Sequence, residues 1–172
     1  MSMKHLIMVF LALGMASLGG FAADLQSPAL SSDTVVAWGK SVDGLSVGIS
    51  WVTSTGDSRT LPKIFFHVAN DGDKEIPGII QNGAMCIVTM NGQHYAQTSR
   101  GGKSSWMAPG RKYGPIPIDT EKLRQISDLR AYPVITDTAP SFKLLEGTNT
   151  VALYYMLEKK LVKSGELQIV AK

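Results

Sequence analysis

Two histidines, His67 and His94, are the side chains best suited to acid–base chemistry outside the apolar N-terminal segment. A hydrolase needs a nucleophile, a base and an orienting acid brought together, and no spacing in the sequence associates either histidine with such partners. Neither His-x-His nor His-Glu-x-x-His occurs, so a metal site is not indicated. We interpret His67 as a surface or semi-buried strand residue and His94 as an exposed residue that follows a turn. The sequence therefore indicates no catalytic residue, no metal ligand and no cofactor.

Three further residues have side chains with reactive or metal-binding potential. Asp71 and Asp73 share one turn and could hold calcium weakly, but the regularly spaced series of ligands in an EF-hand loop is absent. Turn chemistry explains both without a metal. Cys86 is the single cysteine, and its apolar surroundings indicate a small buried hydrophobic residue. An intermolecular bridge or a reactive thiol is the alternative, although no nearby cation or helix N-terminus would stabilise a thiolate.

An aromatic and basic stretch offers the most plausible surface for a partner. Residues 99–105 form a glycine-rich loop that leads to Trp106, and the loop lacks the spacing of a phosphate-binding motif. Aromatic side chains near such a loop can stack on a sugar or a peptide, or they can fill one end of a β-sheet fold. The candidate partner-binding residues are Tyr95, Arg100, Lys103, Trp106 and Tyr113.

The first 22 residues are organised as a secretory signal peptide. Lys4 precedes an apolar run over residues 6–18, and Gly20 and Ala22 place small residues at the minus-three and minus-one positions of a cleavage after Ala22. A membrane-spanning helix is the alternative, but the run is shorter than the roughly 20 residues that a bilayer requires. The sequence predicts export through a cleavable signal helix to the periplasm or the cell exterior, with no membrane span in the mature chain.

Removing 22 of the 172 residues leaves 150, enough for one domain with a single core. Lys4 is the only charged residue removed, so 16 basic and 14 acidic residues give the mature chain a net charge of +2. The basic residues are scattered and not interleaved with aromatic residues, so nucleic acid is not expected as a partner. Residues 23–33 are small and polar and predict a flexible lead, and residues 34–172 are predicted to form the folded domain.

Alternating apolar and polar residues predict two early strands. Residues 45–51 have the clearest alternation, which indicates a half-buried strand with one face exposed to water. Residues 64–69 alternate in the same way and are followed by Asn-Asp-Gly-Asp at 70–73, a typical reversing turn. An apolar run then begins at Ile76, and we interpret the two runs as a hairpin.

Turn and proline signals organise the middle of the chain. Asn-Gly at 91–92 separates the β-type runs 84–90 and 93–98 and favours a type I′ hairpin. Two prolines within residues 113–118 indicate an extended edge segment rather than a central strand.

Only one segment of the mature chain has helical periodicity. Over residues 119–131, Thr120 can cap a helix, and Leu123 and Ile126 recur at helical spacing. We expect one short helix here, covering an open end of the domain.

The last third of the sequence again predicts strands. Residues 132–136 are a strand candidate, and residues 150–157 and 161–171 form a final hairpin around a charged turn. Short strands at regular spacing, with turn residues between them, predict an all-β fold of two antiparallel sheets packed as a sandwich.

Three segments of the sequence carry a family resemblance. Residues 38–49 resemble the opening WG-x-x-V-D/N-G-L pattern of a β-sandwich domain found in exported or membrane-anchored bacterial proteins, and residues 66–76 resemble its N-x-G-D-K-P-I pattern. Residues 147–170 are similar to its closing S-G-x-L-x-I pattern. The sequence departs from the family at Ala69, where a basic residue is customary, and at Glu75, where proline is usual. The resemblance implies an immunoglobulin-like fold and an exported setting, and it assigns no catalytic residue.

These features together predict an exported, non-enzymatic module that binds another exported protein or a cell-envelope component. A protease-inhibitor-like or adhesion module using residues 99–106 is one alternative, because the Asn-x-Gly-Asp turn is also reminiscent of bacterial proteinase-inhibitor-like sandwiches. A hydrolase with a site assembled from distant residues is another. A concave polar pocket that contains acidic side chains with shifted pKa values would favour the enzyme. An exposed apolar patch would favour the binding module.

Overall fold

In a computed structural model of the chain, the structure describes residues 35–52, 63–80, 86–97, 104–129, 138–157 and 160–171. The predicted signal helix, the flexible lead and the strand candidate at 132–136 lie outside these ranges. Within them the fold is all-β, as predicted, and every strand pairing is antiparallel. The strands are β1 Ala37–Trp38, β2 Leu45–Val52, β3 Lys63–Asn70, β4 Ile76–Ile80, β5 Cys86–Met90, β6 Gln93–Gln97, β7 Ser104–Met107, β8 Lys112–Ile118, β9 Leu123–Ile126, β10 Gly147–Leu157, β11 Lys160–Lys163 and β12 Leu167–Ala171.

The described strands form three sheets. The first sheet has the order β1-β2-β3-β8, and the second has the order β11-β10-β5-β6-β9 with β12 also paired to β10. β4 and β7 pair only with each other and form a small sheet. Consecutive strands are neighbours in β1–β2–β3, β5–β6 and β10–β11, whereas β8 pairs with β3, and β10 with β5, from distant parts of the sequence.

Side chains from the first and second sheets pack in one core. Alternation along β2 directs Leu45, Val47 and Ile49 to one face, and all three are fully buried. Phe66 of β3 stacks on Tyr155 of β10, with ring centroids 6.1 Å apart and planes inclined by 21°. A smaller cluster on the second sheet contains Ile87, Ala96 and Ile126.

The other face of β2 is buried as well, and the prediction of a face exposed to water is wrong for residues 45–50. Ser46 is 5% exposed and Ser50 is fully buried. Gly48 lies beneath the side chains of Val36 and Trp38, because a Cβ atom at this position would be 2.7 Å from Val36 Cγ1 and 3.0 Å from the Trp38 ring. The missing side chain at Gly48 therefore makes room for the residues that cover this face.

The turn at residues 70–73 forms, but the predicted hairpin does not. β3 pairs with β2 and β8, whereas β4 pairs with β7 in the small sheet. The Asn70 Oδ1 atom accepts a hydrogen bond from the Gly72 N–H at 3.0 Å, which is the expected Asx turn. Local turn chemistry thus reverses the chain but does not determine which strand pairs with which.

The Asn-Gly hairpin is confirmed. β5 and β6 pair directly around the turn, with Met90 opposite Gln93. Asn91 and Gly92 have φ angles of 50° and 82°, the left-handed values that a type I′ turn requires.

The predicted helix at residues 119–131 is wrong over its described part. A 3-10 helix covers only Thr120–Lys122, and Leu123–Ile126 is strand β9, paired with β6. Leu123 packs in the main core and Ile126 in the smaller cluster, so β9 is buried on both faces. Burial on both faces places apolar residues three positions apart in a strand, and this spacing resembles helical periodicity.

The edge segment and the final hairpin agree with the sequence. β8 lies at the edge of the first sheet and contains Pro115, which follows a cis peptide bond, and Pro117. β11 and β12 both pair with β10 along the same side and are separated by residues 164–166. In this break, the Ser164 hydroxyl accepts a hydrogen bond from the Leu153 N–H at 2.9 Å.

The first and second sheets meet where β1 approaches the end of β11. The Gly165 N–H donates to the Ala37 carbonyl at 3.1 Å. A Cβ atom on Gly39 would lie 1.8 Å from the Lys163 carbonyl oxygen, so only glycine fits at position 39. We call this contact between residues 37–39 and 163–165 the sheet junction.

Candidate functional site

Trp106 is the most exposed of the aromatic side chains that the structure describes, with 65% of its surface accessible. It lies on β7 directly before Met107, which is fully buried in the main core. Because side chains alternate along a strand, burial of Met107 directs Trp106 away from the core. Large aromatic side chains are enriched in the centres of protein interfaces, so Trp106 is the leading candidate for a binding contact.

Asn70, the last residue of β3, bonds β7, the strand that carries Trp106, to the first sheet. Asn70 is fully buried, and its Nδ2 atom donates to the Met107 and Lys74 carbonyls, each at 2.8 Å. With the Gly72 N–H bonded to its Oδ1 atom, the amide contacts both the turn after β3 and the end of β7. Asn70 therefore fixes the position of the backbone next to Trp106.

The turn after β7 is fixed to the same residue through its backbone. The Gly110 N–H donates to the Asn70 carbonyl at 2.8 Å, and the Asn70 N–H donates to the Arg111 carbonyl at 2.9 Å. Gly110 has a φ of 71°, which suits glycine. Arg111 and Lys112 follow this turn with exposed side chains, and the Lys112 ammonium lies 5.8 Å from the centroid of the Trp38 ring.

The structure separates the aromatic residues that the sequence grouped together. Tyr95 is 4% exposed, packs edge-on against Phe142 at 5.2 Å, and donates its hydroxyl to Gln93 Oε1 at 2.8 Å. Burial raises the pKa of this phenol. Tyr113 is half-buried and packs against the main core. Tyr95 is therefore not accessible to a partner, and Trp106 is the only one of the described residues of the predicted five-residue patch that is exposed rather than buried or half-buried. Arg100 and Lys103 lie outside the described residues.

A buried serine and histidine face each other on the outer side of the first sheet. Ser50 Oγ and His67 Nε2 are 2.8 Å apart, on neighbouring strands β2 and β3. His67 is 7% exposed and lies 6.1 Å from the Trp38 ring, measured between centroids. Gly114 leaves room on another side, since a Cβ atom there would be 2.8 Å from His67 Nδ1. Burial lowers the pKa of His67 and favours the neutral imidazole.

The Ser50–His67 pair resembles the nucleophile and base of a hydrolase only in the distance between the two side chains. Ser50 has no exposed surface, so a substrate carbonyl has no access to its oxygen. The Asp71 carboxylate accepts a hydrogen bond from the Ser46 hydroxyl rather than from His67. We assign the Ser50–His67 pair to the stability of the first sheet, where each side chain satisfies a polar atom of the other.

The remaining reactive side chains are also enclosed. Cys86 is buried, as predicted, and burial raises the pKa of its thiol, which disfavours the reactive thiolate. His94 is half-buried with its Nδ1 atom inaccessible, so the prediction of an exposed residue is wrong. It lies in β6 beside β9, the strand that the sequence interpreted as a helix.

The signal that could have identified Asn70 is present in the sequence. An asparagine that ends an apolar strand and precedes glycine by two positions is typical of a side chain that bonds its own backbone. The bonds to Met107 and Arg111 had no such signal, because they depend on contacts across more than thirty positions of sequence.

Comparison of the chain with protein-family models, with curated proteins and with solved structures finds no match. In the part of the chain that the structure describes, no helix has the length and apolar character to cross a membrane. The same ranges contain no group of three or more His, Cys, Asp or Glu side chains placed to hold a metal ion.

Proposed function

We propose that this chain is an exported, non-enzymatic module with an immunoglobulin-like sandwich fold, which binds another exported protein or a cell-envelope component through Trp106. The observation that carries the proposal is the 65% exposure of Trp106 on a strand whose neighbouring backbone is fixed by a buried asparagine. An exposed apolar group is costly in water, and covering it with a partner recovers that cost.

The immobilised backbone strengthens this proposal. A partner that binds a mobile loop must also restrict the loop, and this ordering reduces affinity. At Trp106 part of that restriction is already provided by the hydrogen bond from Asn70 Nδ2 to the Met107 carbonyl and by the pairing of β7 with β4.

The exported setting of the proposal comes from the sequence. The N-terminal segment has the order of charge, apolar run and small residues that a signal peptide requires. The sandwich is supported by the single core that the two larger sheets share, in which Phe66 stacks on Tyr155.

The test is capture of partners from envelope and secreted fractions with the intact protein and with Trp106→Ala as baits. We expect a partner retained by the first bait and lost by the second, since truncating a central interface tryptophan weakens binding by roughly thirtyfold or more. The affinity of the captured partner is then measured directly with both purified proteins.

Leu145→Ala is the matched control, because Leu145 is 59% exposed and the change removes a similarly accessible apolar side chain elsewhere. A partner lost equally from both variants would contradict a specific role for Trp106. If no partner binds the intact protein at low or moderate salt, the binding proposal fails, and hydrolase activity becomes the function to screen.

A further inference from the structure

The Asn91-Gly92 turn between β5 and β6 has a covalent reactivity that its structural role does not use. In an Asn-Gly sequence the glycine nitrogen can attack the asparagine amide, because glycine has no side chain to hinder the approach. Both residues are exposed in the structure, so water and base reach the turn. The turn is therefore a candidate site of deamidation.

Deamidation at this turn proceeds in two steps and consumes only water. After the Gly92 N–H loses its proton to base, the nitrogen forms a bond to Asn91 Cγ, the Cγ–Nδ2 bond breaks, and Nδ2 takes up a proton and leaves as ammonia. Water then opens the resulting cyclic imide. Opening at one carbonyl gives aspartate, and opening at the other gives isoaspartate, in which the backbone runs through the former side chain.

In the folded protein, both ends of the Asn91 side chain are bonded to β10. Its Oδ1 atom accepts a hydrogen bond from the Thr150 N–H at 2.8 Å, and its Nδ2 atom donates to Asn149 Oδ1 at 3.2 Å. The Asn91 N–H also donates to the Thr150 carbonyl, at 3.0 Å. These bonds extend the pairing of β5 with β10 past Met90, the last residue of β5.

The acceptor of the Asn91 side chain, Asn149, is itself held in one orientation. Asn149 is fully buried. Its Nδ2 atom donates to the Leu145 carbonyl at 2.7 Å, and its Oδ1 atom accepts from the Leu145 N–H at 3.0 Å. Exchanging the oxygen and nitrogen of this amide would place like groups against both backbone groups of Leu145. Asn149 therefore presents only its oxygen to Asn91.

We propose that Asn91 is a deamidation site that the fold keeps unreactive, and that it reacts when the β5–β6 turn separates from β10. The side chain turns toward the Gly92 nitrogen only after its bonds to Thr150 and Asn149 break. In either product the Nδ2 donor is gone, so the hydrogen bond to Asn149 does not form again. Deamidation thereby makes a reversible opening permanent.

This site is independent of the proposed role of Trp106, and its test is the rate of deamidation. The intact protein and a synthetic peptide of residues 88–95 are incubated in the same mildly alkaline buffer, and mass spectrometry follows conversion of amide to acid at residue 91. We expect the folded protein to react roughly tenfold or more slowly than the peptide, because the turn must first open. In guanidinium chloride, Asn91 should react as fast as Asn82 of the second Asn-Gly sequence.

Asn149→Ala tests the contact with β10, since it removes the acceptor of the Asn91 Nδ2 bond. Asn70→Ala is the matched control, because Asn70 is also a fully buried asparagine but bonds to other parts of the fold. Both variants are compared where circular dichroism shows them to be folded. We expect Asn149→Ala to raise the rate at Asn91 roughly tenfold, and Asn70→Ala to change it less than about twofold.

Three outcomes would overturn the proposal. Equal rates for the folded protein and the peptide would show that the fold does not restrain Asn91. No reaction in the peptide would show that the sequence is not reactive. Equal acceleration by both variants would show that the reaction follows a general loss of stability rather than the contact with β10. If Asn149→Ala does not fold, the comparison of the folded protein with the peptide decides.

Discussion

Asn70 is the residue on which the arrangement around Trp106 depends. Its amide and backbone together form hydrogen bonds to the turn after β3, to the end of β7 and to the turn before β8. A side chain with no exposed surface cannot replace these bonds with water. The same residue therefore determines both local stability and the position of the candidate binding strand.

We predict that Asn70→Ala lowers the free energy of unfolding by about 2–4 kcal/mol, because it leaves several buried backbone groups without partners. Urea denaturation followed by circular dichroism measures the change. Asn70→Asp keeps the acceptor toward Gly72 but turns an oxygen toward the Met107 and Lys74 carbonyls, so it should also be destabilising. A loss below about 0.5 kcal/mol for Asn70→Ala would contradict this role.

His67 gives the protein a predicted sensitivity to acid. Burial lowers its pKa in the folded state below the usual value of 6.5. The unfolded state then binds the proton more strongly, so the stability from the neutral imidazole is present above pH 6.5. That stability is lost progressively as the pH falls below 6.5 toward the lower pKa of the folded state.

The measurement is the urea midpoint between pH 7.5 and pH 5, compared with that of His67→Gln. An amide can still bond to Ser50 but does not titrate, so the variant should lose less stability on acidification. Identical pH profiles for the two proteins would show that His67 does not control this response.

At the scale of single elements, some strands follow from local sequence and others do not. The β5–β6 hairpin was predictable because Asn91-Gly92 determines both the turn and the pairing of adjacent strands. The Asn70 turn was predictable in conformation only, because β3 finds its partners in β2 and β8. Pairing between distant strands depends on packing of the whole core, which local patterns do not encode.

β9 shows a different reason for failure. Leu123 and Ile126 lie on opposite faces of a strand that is buried on both sides, in the main core and in the smaller cluster. Their three-residue spacing suggested one face of a helix. A sequence pattern cannot distinguish these cases when the burial of the second face comes from residues far along the chain.

The sheet junction leads to a prediction about glycine. Gly39→Ala would place a methyl group 1.8 Å from the Lys163 carbonyl oxygen, so β1 and the end of β11 must separate. We expect a loss of more than about 4 kcal/mol, or no folded protein, in thermal or urea denaturation.

Gly110→Ala is the comparison. Gly110 has a φ of 71°, and apart from its neighbours in the chain no atom lies within 4 Å of the place that a methyl group would take. Only the backbone strain of about 1–2 kcal/mol therefore applies. If Gly39→Ala and Gly110→Ala lower the free energy of unfolding equally, the close approach at Gly39 does not add to the cost of the substitution.

At the scale of the whole molecule, the candidate site was only partly predictable. The sequence drew attention to Trp106, which is exposed, but it grouped this residue with Tyr95, which lies in the core. Proximity in sequence does not place two side chains on the same surface, because alternation and sheet pairing direct them to different sides. The contribution of Asn70 became visible only when β3, β7 and the following turn were seen together.

The N-terminal segment gives a prediction about processing. We expect the exported protein to begin at Ala23, because cleavage after Ala22 places Gly20 and Ala22 at the positions that require small residues. Intact-mass measurement of the exported protein tests this. A protein that retains Met1 would contradict the cleavable signal, and one that begins at Asp24 would shift the cleavage by one residue.

The sheet junction also sets a condition on the order of folding. The Ala37 carbonyl accepts a hydrogen bond from Gly165, which belongs to a distant part of the sequence. During synthesis β1 is made long before the residues that it contacts at the junction, whereas β2 and β3 are neighbours in the sequence and can pair early. Closure of the junction is therefore a late step, which joins the first strands of the fold to β11 and β12.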